Sequence, residues 1–504
     1  MAGLCKYVRL MRCFVKREMS GMNSEIPIDI SLHKVSSKLM DCFQLQRSSF
    51  LNSDIETYAE RKTHLKNLKR MLVENREDLF EALCKDYGNR SYHESLFAEF
   101  VAVADDIDST SKSLKKWMKV QRRGVDITMY FGAKNQVIPQ PLGVVGAIIP
   151  WNFPINLTFT QLSAIFSAGN RAMVKMSENS LNLSKLLIEL SVKYFPKEKL
   201  QFFDETGSVG PEFSKLPFDH LIFTGSGATG RKVMAAAAKN LTPVTLELGG
   251  KAPAIIDPNY PIETAVERIM FVKQFNAGQI CTNVDYVFVH GSKLQEFVET
   301  VQSWVTKHVP DIYSVDYTSI IDECSFERLN QTIEEARSSG ATVVKLNNQE
   351  ADAELRKFPL HLVIDPPAST AIACRETFGP ILMVKQYDNH HDVIASVNAQ
   401  DRPLALYPFT NDKKLASLYI GRIMSGGVTV NDALFHVGQH DLPFGGVGGS
   451  GMGHYHGREG FETFSKLRPI MYQARFTALK FLAPPYEGFA DRVFRFLAKI
   501  KSSC

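Results

Sequence analysis

From residue 142 onward, short apolar runs alternate with longer helix-like stretches, and this alternation restricts the fold more than any other feature of the chain. Leu142–Ile149 is an apolar run ended by Pro150. Leu157–Ala168 then reads as a helix, Arg171–Lys175 as a strand, and Ser180–Tyr194 as a second helix. His220–Phe223 is another strand, Arg231–Asn240 an alanine-rich helix, and Val244–Leu248 a strand again. Repeated strand–helix–strand units build parallel sheets with helices on both faces. A second series of the same kind runs from Ala252 to about Asn431, so two α/β units are expected. Ahead of them, residues 41–120 are helical by periodicity, with Leu65, Leu68, Met71, Leu72, Leu79, Phe80 and Leu83 on the apolar stripe. Residues 124–140 alternate like strands and turns, and the glycine- and histidine-rich stretch 436–460 reads as loop before a strand-like run to Tyr472. The expected division is 40–246, 247–435 and 436–504, with 124–140 and the C-terminal tail forming a small β bridging and oligomerisation element.

Composition narrows the classes of function. Of 504 residues, 44% are hydrophobic and 22% charged, which is ordinary globular usage. The net charge of +4 comes without a long basic block, so nucleic acid is not an expected partner. Eight cysteines at irregular spacing, with no CxxC, suggest neither a disulfide framework nor a zinc site, and no metal is expected. That usage fits a reducing compartment, with the cytoplasm as the expected location.

Two stretches bear chemistry. Gly225–Gly230 (GSGATG) spells GxGxxG between an apolar strand and a helix. Glycines there permit close approach of backbone to a pyrophosphate, and a helix N-terminus favours its charge. The pattern is weak alone, because glycine turns between strand and helix are common. Glu247 lies 17 residues after Gly230, near where such folds place a ribose-binding acid. Cys281 sits in Asn276–Cys281 (NAGQIC), among small and polar residues. As a lone feature it reads first as a buried structural thiol, with a nucleophile as the alternative. A nucleophile needs a hydrogen-bonding environment and a base, and a carboxylate in apolar surroundings can be that base.

Seven motifs in order give the chain a specific resemblance. They are Pro150–Pro154 (PWNFP), Lys175–Glu178 (KMSE), Phe223–Ser226 (FTGS), Glu247–Lys251 (ELGGK), Gly278–Cys281 (GQIC), Glu376–Pro380 (ETFGP) and Pro443–Gly446 (PFGG). Together they resemble the aldehyde dehydrogenase superfamily over roughly residues 40–475. Leu241–Gly250 (LTPVTLELGG) and Gly453–Gly457 (GHYHG) look like its class 3 branch. Leu216–His220 (LPFDH) and Ile255–Pro261 (IIDPNYP) are similar to the bacterial coniferyl aldehyde dehydrogenases of that branch. The resemblance implies two Rossmann-like α/β domains, with 40–246 binding the cofactor and 247–435 catalytic. It also implies NAD or NADP as cofactor and oxidation of an aromatic or aliphatic aldehyde to the acid. Cys281 then matches the nucleophile, Glu247 the general base in place of the ribose role, and Asn152 the oxyanion donor. Lys175 and Glu178 match residues at the adenosine ribose, and Gly225, Ser226 and Gly230 the phosphate turn. Glu376 and Phe378 match contacts to the nicotinamide ribose and ring. This context makes Cys281 the cysteine expected to alkylate fastest.

The chain departs from the pattern at three points. Met176 replaces a proline, Thr282 and Asn283 follow the nucleophile, and Pro408 interrupts Leu404–Thr410, where it should lie at an edge or bulge. None removes a catalytic group. The two other functional classes are a CoA-acylating enzyme, disfavoured because Glu247 suits water as acceptor, and a non-catalytic protein on the same fold. Aromatic candidates for the substrate are Phe153, Phe159, Tyr286, Phe435 and His436. A homodimer is expected. Phe489–Lys501 gathers Phe489, Val493, Leu497 and Ile500 near one helical face. Contact of that face with the protein's own surface or its dimer partner is favoured over a membrane surface. The basic, acid-free stretch 1–17 reads as an overextended start ahead of Met19 or Met22, in preference to a targeting segment.

Overall fold

A computed structural model describes residues 37–127, 130–206, 209–475, 477 and 481–502; the basic stretch 1–17, Met19 and Met22 lie outside them. The chain enters through helices Ser37–Leu51, Tyr58–Glu74, Arg76–Tyr87 and Ala102–Trp117. Thr57 starts the second with a capping box: its hydroxyl accepts from the Glu60 N–H while the Glu60 carboxylate accepts from the Thr57 N–H. The predicted stripe from Leu65 to Leu83 is buried, packed with Ile155, Phe159 and Leu162 of the helix Pro154–Ser167 in one hydrophobic core.

Strands β1 (Gln121–Arg123) and β2 (Lys134–Pro141) leave this body as an antiparallel ribbon. Strands β3 (Val144–Ile148), β4 (Arg171–Lys175), β5 (Leu200–Phe203), β6 (His220–Gly225) and β7 (Val244–Leu248) form the first parallel sheet. The second holds β8 (Ala252–Ile256), β9 (Val284–His290), β10 (Thr342–Lys345), β11 (His361–Ile364), β12 (Ile381–Tyr387), β13 (Ala405–Phe409) and β14 (Gly427–Val428). Strand β15 (Gly451–Met452) returns to pair antiparallel with β7, and β16 (Ser465–Tyr472) pairs along the whole length of β2. The orders are β15-β7-β6-β3-β4-β5, β10-β11-β12-β9-β8-β13-β14 and β1-β2-β16. The central strands read as near-continuous apolar runs because both of their faces are covered, as parallel sheets require.

Several local expectations are refined. The helix after GxGxxG begins at Gly227 rather than Arg231, so the glycine turn supplies its first turn. The stretch 436–460, read as loop, contains β15 and the start of a helix, Gly457–Thr463. Pro408 is not on an edge strand, since β13 lies between β8 and β14. It pairs with Ile255 of β8, while its carbonyl accepts from the Asn431 N–H on the other side. Beyond Val428 the segment stays beside β13 through the Thr429 and Asn431 N–H groups, which donate to the Leu406 and Pro408 carbonyls, so the proline lies where the two-way ladder stops.

Candidate active site

In the first sheet the chain walks from β3 outward through β4 and β5, then returns to lay β6 on the other side of β3. The loops after β3 and β6 therefore diverge, and the crevice between them lies at the carboxyl ends of the strands, where such sheets bind ligands. A cavity of about 1080 Å³ opens there. Trp151 and Asn152 line it from the loop after β3, Gly225 and Ser226 from the end of β6, and Glu247 from β7. Cys281, Glu376 and Phe378 line it from segments belonging to the second sheet.

Cys281 follows a loop whose backbone is held against its own preference. Asn276 and Ala277 have φ of 52° and 48°, and Gly278 has φ of 76°. At Gly278 a Cβ would run into the carbonyl of Gly379, so the turn needs glycine for space as well as for angle. Hydrogen bonds fix the rest. Gln279 donates to the carbonyls of Asn276 (2.9 Å) and Ser319 (3.1 Å) and accepts from the Ile321 N–H (3.0 Å). Asn283 donates to the Gly278 carbonyl at 2.7 Å, so this departure from the family pattern braces the loop. Residues in such uncommon backbone regions persist only when the surroundings over-determine them, and they concentrate at functional sites.

Burial pushes the Cys281 thiol up to about 12, with Glu376 and Glu247 adding to the effect; backbone N–H groups of Cys281 and Thr282 work the other way. Glu247 is buried, and neither carboxyl oxygen has a hydrogen-bond partner among the described residues. Burial raises its pKa well above the ordinary carboxyl range. Burial and the nearby Asp285 carboxylate raise Glu376 to about 8, opposed by the Gly250 N–H and by Lys251 and Arg328. The loop of Glu376 and Phe378 is held from three directions. Arg328 donates to the carbonyls of Thr377 (2.6 Å) and Phe378 (3.3 Å). Asp285 accepts from the Thr377 N–H at 2.8 Å and pairs with Lys251, which also donates to the Ile372 carbonyl. Phe378 meets Trp151 edge-on, with ring centroids 5.5 Å apart.

A thiol, a buried unpartnered carboxyl and a side-chain amide thus face one cavity beside a phosphate-binding type of turn. The model of the aldehyde dehydrogenase family matches residues 52–470. The chain belongs to that family. A probable coniferyl aldehyde dehydrogenase of Pseudomonas aeruginosa is 43% identical over 451 residues, covering 89% of this chain and 94% of the relative. A dimeric NADP-preferring aldehyde dehydrogenase of Rattus norvegicus is 33% identical, covering 87% and 95%. Among solved structures, a substrate-bound state of Staphylococcus aureus AldH superposes with a TM-score of 0.85 at 31% identity, covering 91% of this chain and 99% of that one. The protein is an NAD(P)-dependent aldehyde dehydrogenase, built on two Rossmann-like α/β sheets.

The residues present fit a dinucleotide. Gly225 and Ser226 open the helix Gly227–Ala238 onto the cavity, and the Ser226 hydroxyl accepts from the Thr229 N–H (3.3 Å), leaving first-turn N–H groups for an anion. A Cβ at Gly249 would strike the Glu376 carboxylate, so glycine keeps that acid seated at the cavity wall.

The structure separates the sequence-derived candidates into two groups. Asn152, Gly225, Ser226, Glu247, Cys281, Glu376 and Phe378 line the one cavity; Lys175, Glu178 and Gly230 do not. Lys175 is buried and paired with Glu205, with Glu178 3.9 Å away and exposed. Gly230 lies in the helix and packs beside Leu248. Of the aromatic candidates, Phe159 and Tyr286 are buried core residues, each in a different hydrophobic cluster. Sequence reasoning gave no role to Lys251, although it stands in a quoted motif, and passed over Asp285 and Arg328. Burial pushes the Cys281 thiol up, whereas among the described cysteines Cys324 and Cys374 are exposed. This bears against the expected fast alkylation of Cys281 in the cofactor-free protein, and a labelling time course decides it.

Proposed function

We propose that Cys281 attacks the aldehyde carbon, with Glu247 taking the thiol proton. The carbonyl oxygen becomes an oxyanion held by the Asn152 side-chain amide and the Cys281 N–H. A nicotinamide held by Glu376 and Phe378 would supply the acceptor for the hydride that the thiohemiacetal carbon must lose. A thioester on Cys281 remains. Glu247 releases the thiol proton to solvent and then takes one from water; the oxygen adds to the thioester, and the carboxylic acid leaves as Glu247 returns that proton to the sulfur. The observation that carries this reading is Glu247: two buried oxygens without partners at the wall of the cavity that also holds Cys281. An unpartnered buried carboxyl is costly, and a site for a transient water or thiol partner accounts for it. The same oxygens favour hydrolysis over transfer to CoA.

Lys175 and Glu178 serve the adenosine ribose in this reading, Gly225, Ser226 and Gly230 the phosphates, and Glu376 and Phe378 the nicotinamide ribose and ring. The units are 40–246 for the cofactor, 247–435 for catalysis and 436–504 as returning loop and tail; β7 runs through the first boundary. An aromatic aldehyde is the proposed substrate. The coniferyl aldehyde dehydrogenase relatives support it, as does a row of four rings that starts at the residue after Asn152. Phe153 stacks with Phe275 (6.3 Å), Phe275 meets Phe271 (6.0 Å), and Phe271 stacks with Phe435 (6.3 Å). Phe153 and Phe275 are the direct neighbours of Asn152 and Asn276. Rates for benzaldehyde- and cinnamaldehyde-type substrates against aliphatic aldehydes, each with NAD and NADP and with or without CoA, test this. Preference for aliphatic chains overturns the substrate class, and CoA-dependent turnover overturns hydrolysis.

The enzyme is proposed to be a cytoplasmic homodimer. Strand β16 leaves an eight-residue edge open, with Met471 and Tyr472 exposed, and such an edge invites a second chain. In the single chain, Phe489 and Phe496 of the helix Phe489–Ser502 are 58% and 63% exposed, so this face goes to the partner subunit in preference to lipid. Among the described residues no helix is long and apolar enough to cross a membrane.

A further inference from the structure

Beneath the cavity lies a buried charge cluster that neither motif nor spacing suggested. Arg90 is almost wholly enclosed, between the rings of Tyr87 (4.8 Å) and Phe153 (4.9 Å). Its Nη1 donates to the backbone carbonyl of Asn152 at 2.9 Å. The same carbonyl accepts from the Tyr87 hydroxyl (3.1 Å) and from the Asn276 side-chain amide (3.2 Å). Three donors on one carbonyl are a strong constraint, and they come from two separate segments of chain, 87–90 and the turn at Asn276. One belongs to the loop leading into Cys281.

Two carboxylates complete the cluster. Glu99, 3.6 Å from the Arg90 guanidinium, accepts from the Asn156 N–H at 2.6 Å, at the start of the helix that follows the Asn152 loop. Glu94 accepts from the Asn276 N–H (3.0 Å), where the backbone turns left-handed, and from the Thr318 hydroxyl (2.7 Å). Burial raises both carboxyls to about 7, and the Arg90 cation is the largest influence opposing it in each. Burying three ionisable groups is costly and does not by itself stabilise a fold. What this cluster does is tie the Asn152 loop to the Cys281 loop.

We propose that Arg90, with Glu94 and Glu99, is a positioning residue that fixes the Asn152 amide relative to Cys281 by clamping the Asn152 carbonyl between the two loops. The inference rests on the oxyanion role proposed for Asn152. Arg90 touches no reacting atom; it acts through Asn152. Removing it should let the amide drift, and a misplacement of about 1 Å at a reacting centre costs up to about 10²-fold in rate.

The test is a double-mutant cycle on hydride transfer, read as the pre-steady-state NADH burst at saturating cofactor and normalised to active sites. Asn152→Ala should slow the burst by about 10²–10³-fold. Arg90→Met should slow it roughly ten- to hundredfold, with the NAD dissociation constant within twofold. Arg90→Lys, which keeps the charge and one donor, should recover part of the loss. In the Asn152→Ala background Arg90→Met should cost less than about threefold, because the group it positions is gone. A merely structural arginine would give additive losses and a lower active fraction, and either full additivity or an unchanged burst in Arg90→Met overturns the proposal. If Arg90→Met does not fold, Arg90→Met/Glu99→Gln removes the cation together with its nearest carboxylate and enters the cycle in its place. An undiminished burst in Asn152→Ala sinks the oxyanion reading and Arg90's purpose with it. A slow Asn152→Ala beside a normal Arg90→Met sinks the positioning proposal alone.

Discussion

Replacing Glu247 with glutamine separates what the carboxyl costs the fold from what it gives the reaction. The side chains are isosteric, and the carboxyl is buried without a partner, so below an ordinary carboxyl pKa both proteins bury a neutral group. Above that pH the unfolded chain releases the Glu247 proton while the folded chain keeps it, because burial has raised the folded pKa. The unfolded state then binds fewer protons than the folded one, so stability falls as pH rises. Each pH unit over which the folded carboxyl stays protonated removes up to about 1.4 kcal/mol. Over the pH range in which the unfolded carboxyl is ionised and the folded one is not, the wild-type protein should therefore lose stability that Glu247→Gln keeps. Urea denaturation of the cofactor-free proteins at pH 5, 6 and 7 measures it, as a widening gap in midpoint in favour of glutamine. Parallel midpoints would refute the buried proton. In activity the order reverses. Loss of a general base costs about 10²–10⁴-fold, and if the loss falls on deacylation, the burst of NADH stays near one per site before slow turnover. A weaker NAD affinity with unchanged hydrolysis would return Glu247 to the ribose.

Four further outcomes follow from the same geometry. Cys281→Ala should abolish aldehyde oxidation while NAD affinity, measured by fluorescence titration, stays within about twofold, since the thiol meets only one end of the cavity. In the cofactor-free enzyme at pH 7, mass spectrometry of an iodoacetamide time course should find Cys324 and Cys374 modified before Cys281 among the described cysteines; early labelling of Cys281 would contradict a thiol held neutral by burial and two acids. Gly249→Ala should weaken NAD binding by displacing Glu376, with little change in melting temperature, and unaltered affinity would remove Glu376 from the cofactor site. Sedimentation at micromolar concentration should give a dimer, and a clean monomer would leave the edge of β16 and the apolar face of Phe489–Ser502 without the partner proposed for them.

The sequence was legible where chemistry demands particular residue types at fixed spacing. The alternation after residue 142 predicted parallel sheets, and the helical stripe from Leu65 to Leu83 is the buried face of the N-terminal body. Every motif residue now lining the cavity stands in a short run whose local geometry is dictated by its neighbours, as with Gly278 beside Cys281. Lys175 and Glu178 were less well served. Their motif fixes Lys175 at the end of β4 and Glu178 just past it, but not which acid a buried lysine takes as partner, and here Glu205 has it. The cluster of Arg90, Glu94 and Glu99 was illegible for a deeper reason. On a helix rich in charge, an arginine or glutamate reads as solvated surface, because such residues are almost never fully buried unless paired. Pairing is a property of the fold: Glu94 meets Asn276 across 182 residues, and Arg90 meets Asn152 across 62. Only Phe153 hints at the arrangement, as an aromatic ring beside a catalytic candidate, and its ring covers Arg90. In the proposed reading the face that would meet an aromatic aldehyde and the face that shields the clamp are parts of one side chain, so a substitution at Phe153 should alter substrate preference and oxyanion geometry together. Phe153→Leu should lower the burst rate for every aldehyde tried, including those too small to reach the ring; an effect confined to aromatic substrates would show the two faces to be independent.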